Sequence, residues 1–373
     1  MSFGSVSQET PGSGQMSSLA LSRIETRRGG VRGVLDLLAA KSPLGIGGTV
    51  VLKPNLGCGY VSKQFISTRV DALRGVLDHL SSYSGISRVL VAEGAHETAR
   101  KFDDFGYKSL EAEYGVELVD INKEREWQDF EVVDLAGRSH RARISRRILN
   151  ADWKISVCLP KTHDLVVASL GIKNMLGCLH PRDRELMHGV RQSLWVYGTA
   201  AAAASRVLRL AGPKAAKNAR LLLTRLQAGT MRLRPGQIDE RYLKDPGCRE
   251  ATAVVPLSRA LSENLVRLAE VAAPDLTVVD GFEGLEGEGP TSGQLVELGC
   301  AIAGTDPVAV DAIAATVMGF EPARIEYLFR ADQLGLGTIE RDAMAIFGDD
   351  IGSVRRAFRP HPDLEHQLAW SQK

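Results

Sequence analysis

The sequence lacks several features that assign proteins to specialised classes. Its 373 residues include five cysteines, none spaced as Cys-x-x-Cys, which argues against a disulfide framework and against a cluster held by closely spaced thiolates. The 46 basic and 45 acidic side chains nearly cancel, so the chain lacks the basic excess of nucleic-acid-binding domains. The longest weakly polar stretch, 194–204, is about half of the ~20 residues that a membrane span requires. The first 20 residues contain no apolar core of a signal peptide, and we expect a cytoplasmic protein with no nucleic-acid partner.

Signature motifs of several enzyme classes are also absent. The chain contains no G-x-x-x-x-G-K-[ST] phosphate loop, no G-x-S-x-G nucleophile elbow and no H-E-x-x-H zinc motif. The sequence therefore gives no support for a nucleoside triphosphatase, a serine hydrolase of that type or a zincin, and it shows neither a nucleotide motif nor an iron–sulfur motif.

Short strand-like runs alternate with segments of helical periodicity. These runs lie at 49–53, 88–92, 116–120, 153–158, 276–280 and 298–303. Buried strands separated by helices are typical of a parallel sheet that is covered on both faces. The 37 glycines, against 6% aromatic residues, suit tight connections between strands and helices. We predict an α/β fold with a mostly parallel, doubly wound sheet and a helical insertion.

The predicted insertion divides the chain. Residues 1–20 are rich in Ser, Gly and Gln and predict a disordered tail. Residues 21–185 and 251–373 are predicted to form two parts of one α/β domain, separated by a basic helical insertion at 186–250. Within it, 206–234 contains eight Lys and Arg side chains and no Asp or Glu. Such a segment can bind an acidic protein or an anionic membrane surface, and it is equally typical of a solvated helical face.

Polar side chains follow the predicted strands, where ligands of open parallel sheets bind. Lysine and amide groups suit a carboxylate or phosphate, and histidine suits proton transfer. We assign catalytic roles to Lys53, Lys161 and His163, and substrate binding to Asn55, His96, Lys173 and Asn174. The alternatives are a lysine that carries its amine out of the sheet at position 53, a plain surface loop at 160–163 and a plain glycine turn at 171–177.

An acidic, glycine-rich loop at 280–293 suggests a cation site. Carboxylates and carbonyls bind hard divalent cations, and the predicted ligands are Asp280, Glu283, Glu286 and Asp306. The alternatives are a loop without an ion and an Asp306 that only caps a helix beginning at Pro307. A pair of histidines eight residues apart, His180 and His188, is a weaker metal candidate.

Five ordered segments resemble the domain-of-unknown-function 362 family. They are VLKPN at 51–55, LPKTH at 159–163, GIKNMLG at 171–177, EGEGPT at 286–291 and DPVAVD at 306–311. The resemblance spans roughly 49–335 and implies a cytoplasmic α/β protein. Some members of this family carry a ferredoxin-like iron–sulfur module, but this chain lacks the closely spaced cysteines of such a module.

The residues favour an enzyme of a small anionic metabolite, either a carboxylate or a phosphate. Acid/base chemistry of the lyase, isomerase or cyclase type, assisted by a divalent metal ion and serving biosynthesis, fits the predicted site. The alternative is a binding or electron-transfer accessory protein that docks an iron–sulfur partner through the basic helices.

Overall fold

The computed structural model describes residues 16–57, 64–189 and 248–372. Its main sheet has ten strands, with the order β12-β1-β11-β10-β7-β2-β3-β4 and the short strands β8 and β9 attached through β10, and β5 and β6 form a separate hairpin. The strands are β1 Ser17–Arg23, β2 Gly48–Pro54, β3 Ile86–Glu93, β4 Glu117–Asp120, β5 Trp127–Val133, β6 Ser139–Ser145, β7 Trp153–Cys158, β8 Lys161–His163, β9 Val167–Ser169, β10 Leu276–Glu286, β11 Gln294–Gly304 and β12 Met344–Gly348.

Helices cover both faces of the main sheet. They are α1 Arg27–Lys41, α2 Val70–Leu80, α3 Thr98–Asp104, α4 Ser109–Tyr114, α5 Arg146–Leu149, α6 Gly171–Asn174, α7 Cys248–Ala272, α8 Pro307–Val317, α9 Glu326–Gln333, α10 Ile351–Val354 and α11 Leu364–Gln367. Side chains alternate across each strand, so Val50 and Leu52 enter the core under α1 and α2, whereas Val51 enters the core under α7 and α8. The predicted doubly wound α/β fold is confirmed.

The central strands are parallel. Leu52 of β2 pairs with Val91 of β3 on one side and with Ile155 of β7 on the other, and β7 runs parallel to β10. Strands from both sides of the predicted insertion, β7 and β10, therefore share one sheet.

One central strand runs in the opposite direction. β11 pairs antiparallel with both β10 and β1, so its carboxyl end lies at the edge where the parallel strands begin. Side chains that follow β11 therefore lie at the opposite edge of the sheet from those that follow β2, β3 and β7.

The predicted disordered tail also needs correction at its end. Residues 17–20 belong to β1, which lies between β11 and β12, because Leu19, Ala20 and Leu21 are fully buried in the sheet. Most of the predicted basic insertion, including all of 206–234, lies outside the described residues. Its first and last positions belong to the 3₁₀ turn Arg184–His188 and to α7.

In the described parts of the chain, no helix combines the length and apolarity needed to cross a membrane.

Candidate functional site

The carboxyl ends of β2, β3 and β7 meet at one edge of the sheet. Lys53 near the end of β2 donates from Nζ to Glu93 Oε2 at the end of β3, over 2.7 Å. Both side chains are almost fully buried. Lys53 also donates to the Pro54 carbonyl, over 2.7 Å. The Lys53 ammonium thus links the ends of β2 and β3. The sequence had predicted a catalytic role for this lysine.

The same ion pair orders the chain that leaves β2. Glu93 accepts hydrogen bonds from the backbone amides of Leu56, over 3.2 Å, and Gly94, over 2.7 Å. Sequence inspection did not identify Glu93 as the partner of Lys53, because 40 residues separate them and only the parallel pairing of β2 and β3 brings them together.

Three other predicted residues join this network. Asn174 donates from Nδ2 to the Lys53 carbonyl, over 2.8 Å, and accepts at Oδ1 from Asn55 Nδ2, over 3.3 Å. Lys161 donates from Nζ to Asn55 Oδ1, over 2.9 Å, and to the Ile66 carbonyl, over 3.0 Å. The structure therefore brings Lys53, Asn55, Lys161 and Asn174 together, as the strand-end positions indicated.

A buried carboxylate holds the helix that supplies Asn174 and Lys173. Asp311 of α8 accepts from the amides of Gly171, over 2.7 Å, and Ile172, over 3.1 Å. It thereby binds two amides that the first turn of a helix leaves without internal partners. Burial raises the pKa of Asp311 to about 7. This bond explains the final Asp of the DPVAVD segment.

His163 lies at the end of β8 in the β8–β9 hairpin, with 3% of its surface exposed. Its Nδ1 accepts a hydrogen bond from the Leu165 amide, over 3.0 Å. Asp164 Oδ1 lies 3.0 Å from the same nitrogen, but the amide hydrogen has a fixed direction and points at Nδ1. The neutral ring therefore carries its proton on Nε2. Burial and the charge of Lys173 hold the pKa of His163 well below its ordinary value.

A second histidine has the opposite protonation pattern. His188, in the 3₁₀ turn Arg184–His188, lies with Nδ1 3.3 Å from the Arg184 carbonyl oxygen. Because a carbonyl only accepts, Nδ1 carries the proton and Nε2 of the neutral ring is an acceptor. Burial, followed by the charge of Lys173, lowers the pKa of His188 to about 4.

The two neutral imidazoles therefore differ at Nε2, where His163 has a donor and His188 has an acceptor. The charge of Lys173 lowers the pKa of both rings. Sequence reasoning considered His188 only as a metal ligand with His180. His180 instead lies 3.0 Å from Arg143 Nη2 and stacks edge-on against Trp127.

His96 is placed apart from the buried network. It follows β3 on the surface, with 39% of its side chain exposed and Nδ1 3.9 Å from Glu97 Oε2. The predicted role of His96 in substrate binding thus gains no support from its position.

The four predicted metal ligands do not form one site. Asp280 and Glu283 share Arg27, at 2.8 Å and 2.9 Å, and Glu286 accepts from the Arg359 amide, over 3.0 Å. Asp306 caps α8 through the Ala309 amide, over 2.9 Å, at the opposite edge of the sheet because β11 is antiparallel.

The predicted metal centre is therefore wrong as a set of ligands. Over 16–57, 64–189 and 248–372, no group of three or more His, Cys, Asp or Glu side chains could hold a metal ion. The alternative for Asp306, a helix cap, is what the structure shows.

Comparison with known proteins finds similarity to a protein of known sequence and to a solved structure. A thylakoid-associated protein from Synechocystis sp. is 23% identical over 291 residues, which are 78% of this chain and 69% of that protein. The lactate racemase apoprotein from Thermoanaerobacterium thermosaccharolyticum is similar at 12% identity with a TM-score of 0.41, over 82% of this chain. This chain spans only 57% of the racemase chain.

A family model described as a domain of unknown function, DUF362, matches residues 50–316. The matched region includes the buried network around Lys53 and both histidines of the candidate site. Since the match covers well over half of the 373 residues, the chain belongs to the DUF362 family.

Proposed function

We propose that the chain is an enzyme that moves a proton on a small anionic metabolite, with a carboxylate as the preferred anion and a phosphate as the alternative. The observation that supports this most directly is the opposite hydrogen bonding of two neutral imidazoles. His163 has an N–H at Nε2 and His188 has an acceptor nitrogen at Nε2, so the two rings offer a hydrogen-bond donor and a base.

Each residue has a distinct role in this proposal. The Lys173 ammonium binds the anionic group, His188 Nε2 removes a proton from the substrate and later returns it, and His163 donates a hydrogen bond from its neutral Nε2–H to the substrate oxygen on which charge develops. Bound substrate would offset the Lys173 charge, which lowers the pKa of both histidines in the free protein. The pKa of His188 would then rise towards the operating pH, where a general base is most effective.

The reaction class follows from this proton balance. One proton enters and one leaves, with no net oxidation or reduction of the substrate. Elimination, isomerisation and cyclisation fit this balance, as lyase or isomerase chemistry in a biosynthetic route.

We also place the protein in a reducing cytoplasm, since Cys158, Cys178 and Cys300 are buried thiols without disulfide partners.

The test uses the protein labelled with ¹⁵N at histidine and a panel of small carboxylates and phosphates. Binding should move the His163 and His188 ring resonances, and a substrate should exchange a carbon-bound hydrogen with D₂O, as followed by ¹H NMR. His163→Gln and His188→Gln should each slow this exchange by at least about 100-fold. Lys173→Met should weaken binding by about tenfold or more, because it removes a charged hydrogen-bond donor.

His180→Gln is the matched control. It removes an imidazole that contacts Arg143 and Trp127, and it should leave both binding and exchange unchanged. The proposal fails if no carboxylate or phosphate in the panel moves the His163 and His188 resonances.

Binding to an anionic membrane surface is a second candidate property. It is favoured by the composition of 206–234, which contains eight basic residues and no acidic residue, and by the similarity to a thylakoid-associated protein. Co-sedimentation with phosphatidylglycerol vesicles should be strong at low salt and lost at high salt. Absence of binding at low salt would eliminate this candidate.

A further inference from the structure

The hairpin that carries His163 contains an unusual backbone conformation. Val167, the first residue of β9, has a φ of 64°, and Ala168 donates to the Val166 carbonyl over 2.6 Å. This is a three-residue turn with its central residue in the left-handed region. Such turns are strained, and a β-branched residue at positive φ is a clear outlier. Strain of this kind persists only when surrounding contacts enforce it.

One side chain supplies such contacts from the far end of the chain. Gln367 of α11 accepts at Oε1 from the Val167 amide, over 2.6 Å, and donates from Nε2 to the His163 carbonyl, over 3.0 Å. The Gln367 side chain is 2% exposed. Gln367 therefore bonds to both Val167 and His163, which face each other on either side of the turn at 164–166.

The segment before Gln367 is anchored by other contacts. The Gly287 amide donates to the Arg359 carbonyl, over 2.8 Å, and the Arg359 amide donates to Glu286 Oε2, over 3.0 Å. Phe358 is buried in the core beside Gly284. The segment that leads to Gln367 is thus held against the end of β10, and this contact positions Gln367 at the β8–β9 hairpin. Gln367 lies beyond the region 50–316 that the family model matches.

We propose that Gln367 is a positioning residue of the candidate site, because its two hydrogen bonds hold the Val167 turn and thereby fix the direction of the His163 ring. The inference rests on the proposed role of His163 as a hydrogen-bond donor to the substrate. It adds the C-terminal segment to the site as the part that sets the geometry of that donor. The competing explanation is a buried glutamine that only contributes stability.

The experiment reads the His163 ring directly and needs no substrate. Long-range ¹H–¹⁵N spectra of histidine-labelled protein report which nitrogen carries the proton, and His163→Gln assigns the signals. In the wild type, His163 should be neutral with its proton on Nε2. In Gln367→Met, which keeps the length of the side chain and loses both bonds, the ring should become a mixture of tautomers. Its titration midpoint should rise towards that of an ordinary histidine.

The matched control is Gln333→Met. Gln333 is exposed on α9 and bonds only weakly to the adjacent Asp332, over 3.3 Å, so His163 should keep its wild-type spectrum. An unchanged His163 spectrum in Gln367→Met would overturn the proposal, even if that variant is less stable.

A second substitution separates positioning from stability. Glycine adopts positive φ without strain, so Val167→Gly in the Gln367→Met background should restore the turn and return His163 towards its wild-type tautomer. If Gln367 only adds stability, removing the buried Val167 side chain gives no recovery, and that result overturns the proposal.

The double variant also decides the case in which Gln367→Met does not fold. A folded double variant with the wild-type His163 signature supports the proposal, and a changed signature or a second failure to fold contradicts it. Failure of this test leaves anion binding by the wild type unaffected, so it is distinguishable from failure of the proposed function.

Discussion

At the scale of single residues, the buried pair of Lys53 and Glu93 is the main structural support of the site edge. The two side chains are 1% and 4% exposed, and removing two charges from water is costly unless each is paired and hydrogen-bonded. The pair meets that condition, because Glu93 also binds the Leu56 and Gly94 amides. It therefore fixes the positions of β2, β3 and the turn that leads to Asn55.

Glu93→Gln should destabilise the protein strongly. It leaves the Lys53 ammonium buried without its counter-charge, and breaking such a pair costs about 3–5 kcal/mol. Equilibrium unfolding in urea measures the change. Glu113→Gln is the control, since Glu113 pairs with Arg74 at the surface with 37% of its side chain exposed and should cost less than about 1 kcal/mol. Similar losses in the two variants would contradict a central role for the buried pair.

Individual residues also show what the sequence could predict of the site. Lys53 and Asn55 were predictable because they lie at the end of β2, and Lys161 and Asn174 because they follow β7 along the chain; these two strands are parallel, and their carboxyl ends meet at one edge. Glu93 as a partner, His188 as a base and Gln367 as a positioning residue depend on contacts between distant segments. No local pattern encodes those contacts.

At the scale of elements, the short helix α6 presents Lys173 and Asn174 only because its first residue is glycine. A Cβ at Gly171 would overlap Thr277 Cγ2 and lie 2.9 Å from Asp311 Oδ1. The absence of a side chain lets α6 approach β10 and the Asp311 carboxylate closely.

Gly171→Ala should therefore displace α6. Overpacking a well-packed site costs about 1–3 kcal/mol, and the displacement should also shift the His163 ring signals through Lys173. Gly33→Ala is the control, because Gly33 lies within α1 with open space around its Cβ position. It should stabilise the protein by about 0.5–1 kcal/mol. Urea unfolding of both variants provides the measurement, and a stable Gly171→Ala would show that α6 can move at little cost.

The direction of β11 explains the error at Asp306. The apolar pattern of 298–303 is the same for either direction of a strand, so it could not reveal that the carboxyl end lies at the opposite edge. The length of the connection between β10 and β11 indicates their relative direction. β10 ends at Glu286 and β11 begins at Gln294, whereas a crossover to a parallel neighbour needs a dozen or more residues, so this connection is too short for a parallel pair. The full length of both strands became known only from the structure.

At the scale of the whole molecule, Asp280 and Asp311 have the opposite effect from His188 on how the stability of the fold depends on pH. Burial raises the pKa of Asp280 to about 6 and the pKa of Asp311 to about 7. The folded state therefore favours their protonated forms, and their contribution to stability falls as pH rises from about 4 to these values. The pKa of His188 is lowered to about 4, so the folded state favours the neutral ring. That contribution is full above about pH 6.5 and is lost as pH falls towards 4.

Because these slopes have opposite signs between pH 4 and 6.5, they partly cancel in the wild type. Each term becomes visible when one group is removed. Asp311→Asn deletes the term that favours low pH, so its stability deficit relative to the wild type should shrink by roughly 1 kcal/mol or more from pH 5 to pH 8. His188→Gln deletes the opposite term, so its deficit should grow by a similar amount from pH 4.5 to pH 7. Urea unfolding at four pH values measures both, with Gln333→Met as a control: Gln333 is exposed and has no titratable group, so the curve of this variant should parallel the wild type. Parallel curves for all three variants would show that neither buried group has the shifted pKa on which the opposition depends.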